Sequence, residues 1–306
     1  MLRYDDLQVF VHTSDSGSLS AAARQLEISP AVASAALKRL ESELEVRLFA
    51  RSTRSLRLTP EGDAFLLHAR ASLRSLEEGR RLLQGGKDQI AGVLQLSAPS
   101  DFGRNLLLPW LDEFQARYPQ LSLRLLLGDR VTDLYRQPVD VAIRYGAPAD
   151  SSLVALPLAP DNRRVRCAAP GYRAERGAPR PPDDLREHNC LLYHLGGRVH
   201  DRWAFQRGRR SLTLTVAGDR VCDDADVVRR WALAGKGLVY KSWLDVAEDV
   251  RAGRLRLLLP EWQGEATPMN LLCTHRAQLT RPVTLLRAFV RERCDALLAE
   301  APWTRN

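Results

Sequence analysis

A stretch of arginines without an acidic neighbour is the first part of this sequence whose residue types indicate a chemistry. Residues 47–60 contain four arginines and no Asp or Glu. The extended runs at 48–51 and 55–58 predict a short β-hairpin. Arginines at the tip of such a hairpin, here Arg51 and Arg54, contact phosphates and enter a narrow minor groove. The stretch therefore predicts a basic wing that adds salt-dependent affinity for double-stranded DNA.

Three helical segments must position this wing. Asp5 or Asp6 is expected to cap the first helix, and Gly17 is expected to end it. Ser18 has the position of a cap for the second helix. The pair Ser29-Pro30 is typical of a cap followed by the first turn of a third helix. Because the turn between the second and third helices is short, the segment predicts a helix-turn-helix.

The third helix has an apolar face and a face of small and polar side chains. The apolar face is a stripe of Ala33, Leu37, Leu40 and Leu44. The opposite face carries side chains that can enter a major groove, and these are Ser29, Pro30, Ala31, Ser34, Ala35 and Lys38. Such a face is also compatible with simple solvation, and the neighbouring basic wing is what favours DNA reading.

Three patterns follow one another in this region: the run Gly17 to Ala23 (GSLSAAA), Leu40-Glu41 leading to Leu44, and the wing pattern from Leu48-Phe49 through Arg51, Arg54 and Leu58-Thr59 to Gly62. Together they resemble the winged helix-turn-helix of LysR-type transcriptional regulators. The resemblance implies sequence-specific binding to operator DNA. Members of that family often carry polar or basic residues where this chain has Ala35 and Ala36. Base reading here is therefore expected to depend more on methyl contacts and DNA shape.

A long helix is predicted from Thr59-Pro60 to Gln84, before a joint at Gly85-Gly86. Its leucines at 66, 73 and 76 recur at intervals near three and four residues, together with Ala69 and Leu83. We expect this stripe of Leu66, Leu73 and Leu76 to contact a second copy of the chain, giving a dimer or tetramer, as the resemblance also implies. The alternative is that the stripe packs on the chain's own winged domain.

The remaining sequence alternates strand and helix patterns. Strands are predicted at 93–98, 121–127, 139–145, 163–169, 238–241 and 269–273, helices at 106–116, 131–135, 225–234 and 283–298, and a hairpin at 203–216. This pattern predicts an α/β fold with mainly parallel pairing.

The phrases at 97–100, 140–146 and 234–238 (SAPS, DVAIRYG, AGKGL) resemble the effector-binding region of LysR-type regulators. That resemblance implies two lobes built like a type 2 periplasmic binding protein, with a ligand cleft between them. The predicted domains are an all-α winged helix-turn-helix at 1–58, a linker and dimerisation helix at 59–88, and a two-lobe effector-binding domain at 89–306. Lobe I comprises about 91–160 and 266–306, and lobe II about 161–265.

Two strand-to-helix turns, at 99–102 and 128–131, offer backbone N–H groups to an anion. Ser100 is either a ligand contact or only a helix cap. Arg130, Arg144 and Lys241 are cations near strand ends, and each is either a ligand contact or an ion-paired residue. The candidate effector site is Ser100, Phe102, Arg130, Arg144 and Lys241. Since residues 91–306 carry an excess of seven positive charges, we expect the effector to be a small organic anion.

Composition excludes several other classes of protein. The chain has 306 residues, 45% hydrophobic residues and a net charge of +8, and its longest apolar runs are too short to span a membrane. Its five cysteines are scattered, which argues against disulfides and zinc sites, and no metal or cofactor is expected. Hydrolase and nucleotide-binding motifs are missing from the sequence, so no catalytic residues are assigned. We expect a soluble, cytoplasmic regulator that is not an enzyme; the alternative is a small-molecule-binding or enzymatic α/β protein without a DNA-binding role.

Overall fold

A computed structural model describes residues 1–51, 56–83, 90–129, 139–146 and 153–304. The chain forms two compact units, Met1–Gln89 and Ile90–Asn306. Several predictions lie outside the described residues, namely the joint at Gly85-Gly86, the helix at 131–135, and the side chains of Arg51, Arg54 and Arg130.

The first unit begins with three helices whose ends follow local rules. They are α1 (Tyr4–Ser16), α2 (Leu19–Gln25) and α3 (Pro30–Leu44). The Ser18 hydroxyl oxygen accepts a hydrogen bond from the N–H of Ala21 at 3.3 Å, and that of Ser29 accepts from the N–H of Val32 at 3.2 Å. Both predicted caps are therefore confirmed. Gly17 follows α1 with a φ of 63°, a conformation that favours glycine.

The prediction that an aspartate caps α1 is wrong. The helix begins at Tyr4, so Asp5 and Asp6 lie inside its first turn. Asp6 is only 3% exposed, and its two carboxylate oxygens accept hydrogen bonds from Arg39 on α3, at 2.6 Å from Nη2 and 3.2 Å from Nε. The hydrogen bond to Asp6 raises the pKa of Arg39. Asp6 therefore ties α1 to α3 instead of capping a helix.

The predicted wing is a hairpin of β1 (Phe49–Arg51) and β2 (Leu56–Leu58), which pair antiparallel. It is followed by α4 (Pro60–Leu83), which confirms the long helix. Phe10 of α1 lies at the centre of this unit, with ring centroids 5.6 Å from Phe49 and 5.7 Å from Phe65. These ring contacts join α1, the wing and α4 in one apolar core.

The second unit contains helices and strands in alternation. Its helices are α5 (Ser100–Phe102), α6 (Leu108–Arg117), α7 (Pro170–Arg176), α8 (Ala225–Leu233), α9 (Trp243–Arg251) and α10 (Arg281–Leu298). A π-turn at Gly103–Leu107 joins α5 to α6, so the helix predicted for 106–116 is the second half of a helical run that begins at Ser100. Short 3₁₀ turns lie at Pro182–Glu187 and Arg276–Gln278.

The strands of this unit include all those that were predicted, together with strands at 154–159, 190–195, 198–199, 221–222 and 256–258 that were not predicted. They are β3 (Gly92–Ala98), β4 (Leu121–Leu127), β5 (Val141–Tyr145), β6 (Val154–Ala159), β7 (Arg164–Ala168), β8 (Cys190–Leu195), β9 (Arg198–Val199), β10 (Arg202–Arg207), β11 (Arg210–Thr215), β12 (Val221–Cys222), β13 (Leu238–Ser242), β14 (Arg256–Leu258) and β15 (Met269–Cys273). The predicted hairpin at 203–216 corresponds to β10 and β11, which pair antiparallel.

Two mixed sheets define two lobes. Lobe I is built on the order β4-β3-β5-β15-β6, and lobe II on β12-β8-β13-β7-β14. In lobe I, β3 runs parallel to β4 and β5, whereas β15 runs antiparallel to β5 and β6. In lobe II, β13 runs parallel to β8 but antiparallel to β7. The expectation of mainly parallel pairing is therefore wrong, because β15 enters lobe I only after the chain has passed through lobe II and returns in the opposite direction.

The hairpin of β10 and β11 contributes to the core of lobe II. Trp203 and Phe205 of β10 are each 1% exposed and pack in one cluster with Tyr240 of β13. The ring centroids of Trp203 and Tyr240 are 5.2 Å apart, and the Tyr240 hydroxyl donates to the carbonyl of Ala204 at 3.0 Å. This face of the sheet is therefore covered by aromatic side chains.

Candidate DNA-binding and effector sites

The outer face of α3 exposes the side chains predicted to read DNA. Ser34 is half-buried, and the exposed members of the predicted set are Ser29, Pro30, Ala31, Ala35 and Lys38. On the other face, Ala33, Leu37 and Leu40 are buried as predicted, whereas Leu44 is half-buried. The helix therefore presents a continuous face of small and polar groups to solvent.

Val32 and Ala36 change the expected composition of that face. Val32 is 50% exposed, and the sequence analysis did not include it. Ala36 is 2% exposed and packs with Ala23 and Ala33, so of the two alanines that depart from the resembled family only Ala35 faces outward. The exposed face is thus richer in methyl groups than expected, which suits contact with thymine methyl groups.

Glu41 joins α3 to the wing. Its side chain is buried, and Oε1 accepts hydrogen bonds from the backbone N–H of Leu48 at 2.8 Å and of Phe49 at 3.3 Å. Oε2 accepts from the guanidinium of Arg47 at 3.1 Å. Since the carboxylate binds the first residues of β1, it fixes where the wing begins relative to α3. Arg51 is the last residue of β1, and Arg57 in β2 is exposed.

The leucine stripe of α4 divides into two parts. Leu66 and Leu73 pack against the core of the chain's own first unit, next to the buried Ala69. These two half-buried side chains contact the cluster around Phe10. They therefore match the alternative, in which the stripe packs on the chain's own winged domain. Leu76 is 58% exposed. Leu76 is therefore the member of the predicted set of Leu66, Leu73 and Leu76 whose side chain is exposed.

The candidate effector site contains a carboxylate that belongs to the protein. Asp129, at the end of β4, accepts hydrogen bonds from the backbone N–H of Ser100 at 2.9 Å, from the Ser100 hydroxyl, and from the backbone N–H of Ala225 at 2.6 Å. Ser100 begins α5 in lobe I, and Ala225 begins α8 in lobe II. The donors that the sequence analysis offered to a ligand are therefore held by Asp129, which links the two lobes.

Lys241 does not have the predicted role of balancing a ligand. Its side chain is 1% exposed, its ammonium is ion-paired with Asp101, and Asp245 lies 3.3 Å away. The ammonium also donates to the carbonyl of Ala225 at 3.2 Å. Burial alone would lower the pKa of Lys241, but Asp101 and Asp245 raise it above its ordinary value. Because two carboxylates already neutralise this charge, the structure corrects the assignment of Lys241 as an effector contact.

The partners of Lys241 come from both lobes. Asp101 lies on α5 of lobe I, and Asp245 lies on α9 of lobe II, where it accepts from the Tyr145 hydroxyl of lobe I at 2.5 Å. Burial, against the opposing charges of Lys241 and Arg229 and with a smaller contribution from the charge of Asp245, raises the pKa of Asp101 to about 7. The cluster of Asp101, Lys241, Asp245 and Tyr145 is therefore a buried polar junction between the lobes.

A second set of contacts borders this junction. Arg104 donates to Asp224 at 2.8 Å, and Asn105 donates to Asp226 at 2.8 Å. Arg104 and Asn105 lie in the π-turn of lobe I, whereas Asp224 caps α8 of lobe II. Sequence reasoning missed these contacts because the partners are about 120 residues apart, although Asp224 before an apolar helix is a recognisable cap.

Phe102 and Arg144 also differ from the prediction. Phe102 is 0% exposed, and its ring centroid lies 5.7 Å from that of Trp110, so it is a core residue and its assignment as an effector contact is wrong. Arg144 is partly buried, and its guanidinium donates to the hydroxyl of Ser97 at 2.6 Å. Burial lowers the pKa of Arg144, while the charge of Asp129 opposes that change. Arg144 is therefore the predicted cation whose electrostatics are linked to Asp129.

Comparison with known families explains why these two units occur together. Residues 4–63 match the family described as "Bacterial regulatory helix-turn-helix protein, lysR family", and residues 87–295 match the "LysR substrate binding domain". The chain belongs to the LysR family. The predicted fold class, a winged helix-turn-helix and linker helix followed by a two-lobe α/β effector region, is confirmed for this LysR-family chain.

LysR-family relatives extend over nearly the whole chain. The HTH-type transcriptional regulator DmlR of Escherichia coli strain K12 is 32% identical over 275 residues, which cover 90% of this chain and 88% of the relative. The HTH-type transcriptional activator AaeR of the same strain is 32% identical over 291 residues, 94% and 92% of the two chains. The structure of CrgA, a LysR-type transcriptional regulator from Neisseria meningitidis, is 30% identical with a TM-score of 0.59, and the match covers 94% and 98% of the two chains.

This LysR-family chain is a DNA-binding transcriptional regulator with an effector-binding domain. The alternative of an α/β protein without a DNA-binding role is excluded by the match of residues 4–63. Within the part of the chain that the structure describes, every helix is too short or too polar to cross a membrane.

Proposed function

We propose that this LysR-family regulator binds operator DNA with α3 in the major groove and with Arg51 and Arg54 of the wing against phosphates and the minor groove. The proposal is supported by the outer face of α3, where Ala31, Ala35 and Lys38 are exposed beside a wing whose start is fixed by Glu41. Small side chains let the helix approach the base edges closely, and the arginines supply affinity that does not depend on sequence.

The salt dependence of binding tests the wing. The double substitution Arg51→Ala with Arg54→Ala should weaken binding to operator and random DNA about equally, and it should flatten the slope of log K against log salt by about one unit per lost phosphate contact. Arg173→Ala with Arg186→Ala removes the same charge from exposed positions of the second unit and is the matched control. An unchanged slope in the wing variant, or an equal change in the control, would contradict the assignment.

The reading face is tested by a change of sequence preference. Ser34→Arg puts a long cation on the outer face of α3 and should alter the ratio of operator to random binding more than it alters random binding. The same affinity change for both DNAs would show that α3 is not the reader.

We further propose that the effector is a small organic anion whose carboxylate takes the place of Asp129. The single observation behind this proposal is that Ser100 and Ala225, from different lobes, donate to one carboxylate. An incoming carboxylate presents the same oxygen geometry, and Asp129 can then balance Arg104 or Arg144, whose pKa values both respond to it. Because Asp129 connects lobe I to lobe II, its replacement changes the link between them, and that is how binding couples to DNA affinity.

Thermal shifts test the effector class. An organic acid that stabilises the wild type, while its amide does not, should stabilise Asp129→Asn at lower concentration, because the internal competitor loses its charge. Ser100→Ala should lose the shift. Asp183→Asn, which changes an exposed carboxylate of lobe II, is the matched control and should respond as the wild type. Stabilisation by neutral ligands alone, or an unaltered response of Asp129→Asn and Ser100→Ala, would contradict the proposal.

The oligomeric state follows from Leu76. We propose a dimer or tetramer in which the exposed Leu76 of α4 contacts a second copy, since paired DNA-binding units match paired half-sites. Leu76→Glu should lower the mass seen by light scattering and weaken operator binding. Ser75→Glu adds the same charge at an exposed polar position of α4 and should leave the mass unchanged. Retention of the native mass by Leu76→Glu would place the contact elsewhere.

The same proposal covers the domain limits and the setting of the protein. We divide the chain into a winged domain at 1–58, a linker helix at 59–88 and an effector-binding domain at 89–306, in line with the two compact units and the family matches. A regulator that binds DNA must share its compartment, so we propose a cytoplasmic protein. Its relatives are transcriptional regulators, and we propose that it has no catalytic activity.

A further inference from the structure

A cavity of about 290 Å³ is lined by residues of lobe II together with Pro302 and Trp303 near the C-terminal end. It lies beside β7, where the short edge strand β14 ends and the segment 260–264 follows, close to the C-terminal residues 302–303. Its walls include the charged residues Arg164, Arg166 and Glu261 and the apolar residues Leu258, Trp262 and Trp303. The volume is near the lower end of the range of about 300 to 1,000 Å³ that is typical of ligand pockets, so the cavity suits a molecule with a single ring or a short chain.

Arg166 is a buried cation with incomplete partners. Its side chain is in a residue only 2% exposed, and Nη2 donates to the carbonyls of Leu259, at 3.0 Å, and of Trp262. Nε and Nη1 have no hydrogen-bond acceptor among the residues that the structure describes, and no carboxylate of those residues lies within ion-pair distance. Burial lowers the pKa of Arg166, while Tyr240 and the charge of Glu261 oppose that change. The rings of Phe205 and Tyr240 face the guanidinium, with centroids 4.9 and 5.8 Å away.

Arg164 shows what a satisfied arginine looks like on the same face of β7. Two residues before Arg166, it donates to Glu265 at 2.6 Å and to the hydroxyl of Tyr193. Aromatic faces compensate a buried cation only in part, whereas a carboxylate neutralises it and accepts the remaining N–H groups. The environment of Arg166 is therefore complementary to an anion, and that of Arg164 is not.

We propose that this cavity is a second ligand site, which binds a small carboxylic acid with an apolar body as its anion. The carboxylate lies against Arg166, and the apolar body lies between Leu258 and the two tryptophans. The site goes beyond the proposed exchange at Asp129, because it shares no residue with Ser100, Asp129 or Ala225. A guanidinium selects the acid over its amide, and the two indole rings select an apolar body over a polar one.

The test uses benzoate and hexanoate, with benzamide and hexanamide as neutral matches, on the full-length protein. Trp262 and Trp303 line the cavity, so intrinsic fluorescence reports binding directly. We expect saturable quenching by at least one of the two acids and weaker binding of its amide. Arg166→Met keeps an apolar chain of similar length and should weaken binding of that acid by about tenfold or more, the effect expected for loss of a charge-assisted hydrogen bond.

Two further variants make every result decisive. Ser100→Ala should bind the acid as the wild type does, because the Asp129-linked site is separate; loss of the signal there would move the ligand to the junction and overturn the proposal. Arg166→Lys keeps the charge without the planar fork, so it should bind more weakly but still prefer the acid to the amide, which provides a readout even if Arg166→Met does not fold. No saturable response of the wild type to either acid, or equal binding by acid and amide, would also overturn it.

Discussion

Replacement of Asp101 by asparagine should remove a large part of the pH dependence of stability in the second unit. Asp101 is 1% exposed, and it contacts Lys241 across the junction between the lobes, with Asp245 and Arg229 nearby. Burial raises the pKa of this carboxyl to about 7. In the unfolded chain the same carboxyl has a pKa near its ordinary value of about 3.9.

The direction of the effect follows from where the proton is held more tightly. The folded protein binds the proton of Asp101 between about pH 4 and pH 7, whereas the unfolded chain has already released it. The proton held on Asp101 therefore contributes its full free energy of stabilisation below about pH 4. That contribution is lost as the pH rises towards about 7. A shift of about three units corresponds to roughly 4 kcal/mol at about 1.36 kcal/mol per unit. Between pH 5.5 and 7, the expected loss is about 2 kcal/mol.

Urea unfolding at several pH values measures this directly. All six tryptophans lie within Ile90–Asn306, so their fluorescence follows the second unit alone. The unfolding free energy of the wild type should fall relative to that of Asp101→Asn as pH rises, because only the folded wild type gives up a bound proton. Asp183→Asn, at an exposed position, should run parallel to the wild type. Parallel curves for Asp101→Asn and the wild type would refute the reasoning.

Two predictions concern the first unit, and circular dichroism of unfolding checks both. Glu41→Gln should lower the free energy of unfolding by about 1 to 3 kcal/mol, because the neutral amide accepts more weakly from the N–H groups at the start of the wing. Glu43→Gln, at an exposed position, is the control and should cost little. Equal losses in the two variants would contradict the role of Glu41. Gly62→Ala should destabilise the wing and weaken DNA binding, because a Cβ there overlaps the carbonyl oxygen of Leu48. Gly79→Ala meets open space in the same helix and should be neutral or stabilising. A tolerated Gly62→Ala would refute the close approach of Gly62 to Leu48.

Local features of the first unit could be predicted because each depends on a few neighbouring residues. Ser18 and Ser29 cap their helices, and Gly17 adopts the left-handed conformation, all from interactions within three residues along the chain. Asp6 is the exception, because its partner is distant in the sequence. It has the residue type of a cap, but Arg39 on another helix binds it, and the contact spans 33 positions in the sequence.

The leucine stripe of α4 shows a different limit. Periodicity predicts that Leu66, Leu73 and Leu76 share one face, and it cannot say which apolar surface covers that face. The core around Phe10 and Phe65 covers the first two, because α4 starts directly after the wing and lies along α1. Leu76 lies beyond that core and is exposed, and this depends on the length of α1 and the wing rather than on the stripe itself.

Ser100, Arg144 and Lys241 lie near the ends of strands and helices, as the sequence indicates, but their partners were not foreseen. Ser100 and Lys241 both lie near Ala225, as a shared cleft requires. Each already contacts an aspartate of the chain, Asp129 for Ser100 and Asp101 for Lys241. A cation or a hydroxyl at a strand end indicates that a carboxylate belongs there. Whether that carboxylate is a ligand or a side chain depends on a turn more than twenty residues away.

Arg164 and Arg166, in the interior of lobe II, also depend on partners that are distant in the sequence. Alternation along β7 places both on one face of the sheet, and that much follows from the sequence. Glu265 reaches Arg164 because the chain passes β7 again after leaving β14, while Arg166 lies where the passing segment presents carbonyls and aromatic rings. A strand can therefore carry two buried cations with opposite requirements. The assembled sheet decides which of the two has a side-chain carboxylate within ion-pair distance, and the ligand site proposed at Arg166 rests on that difference.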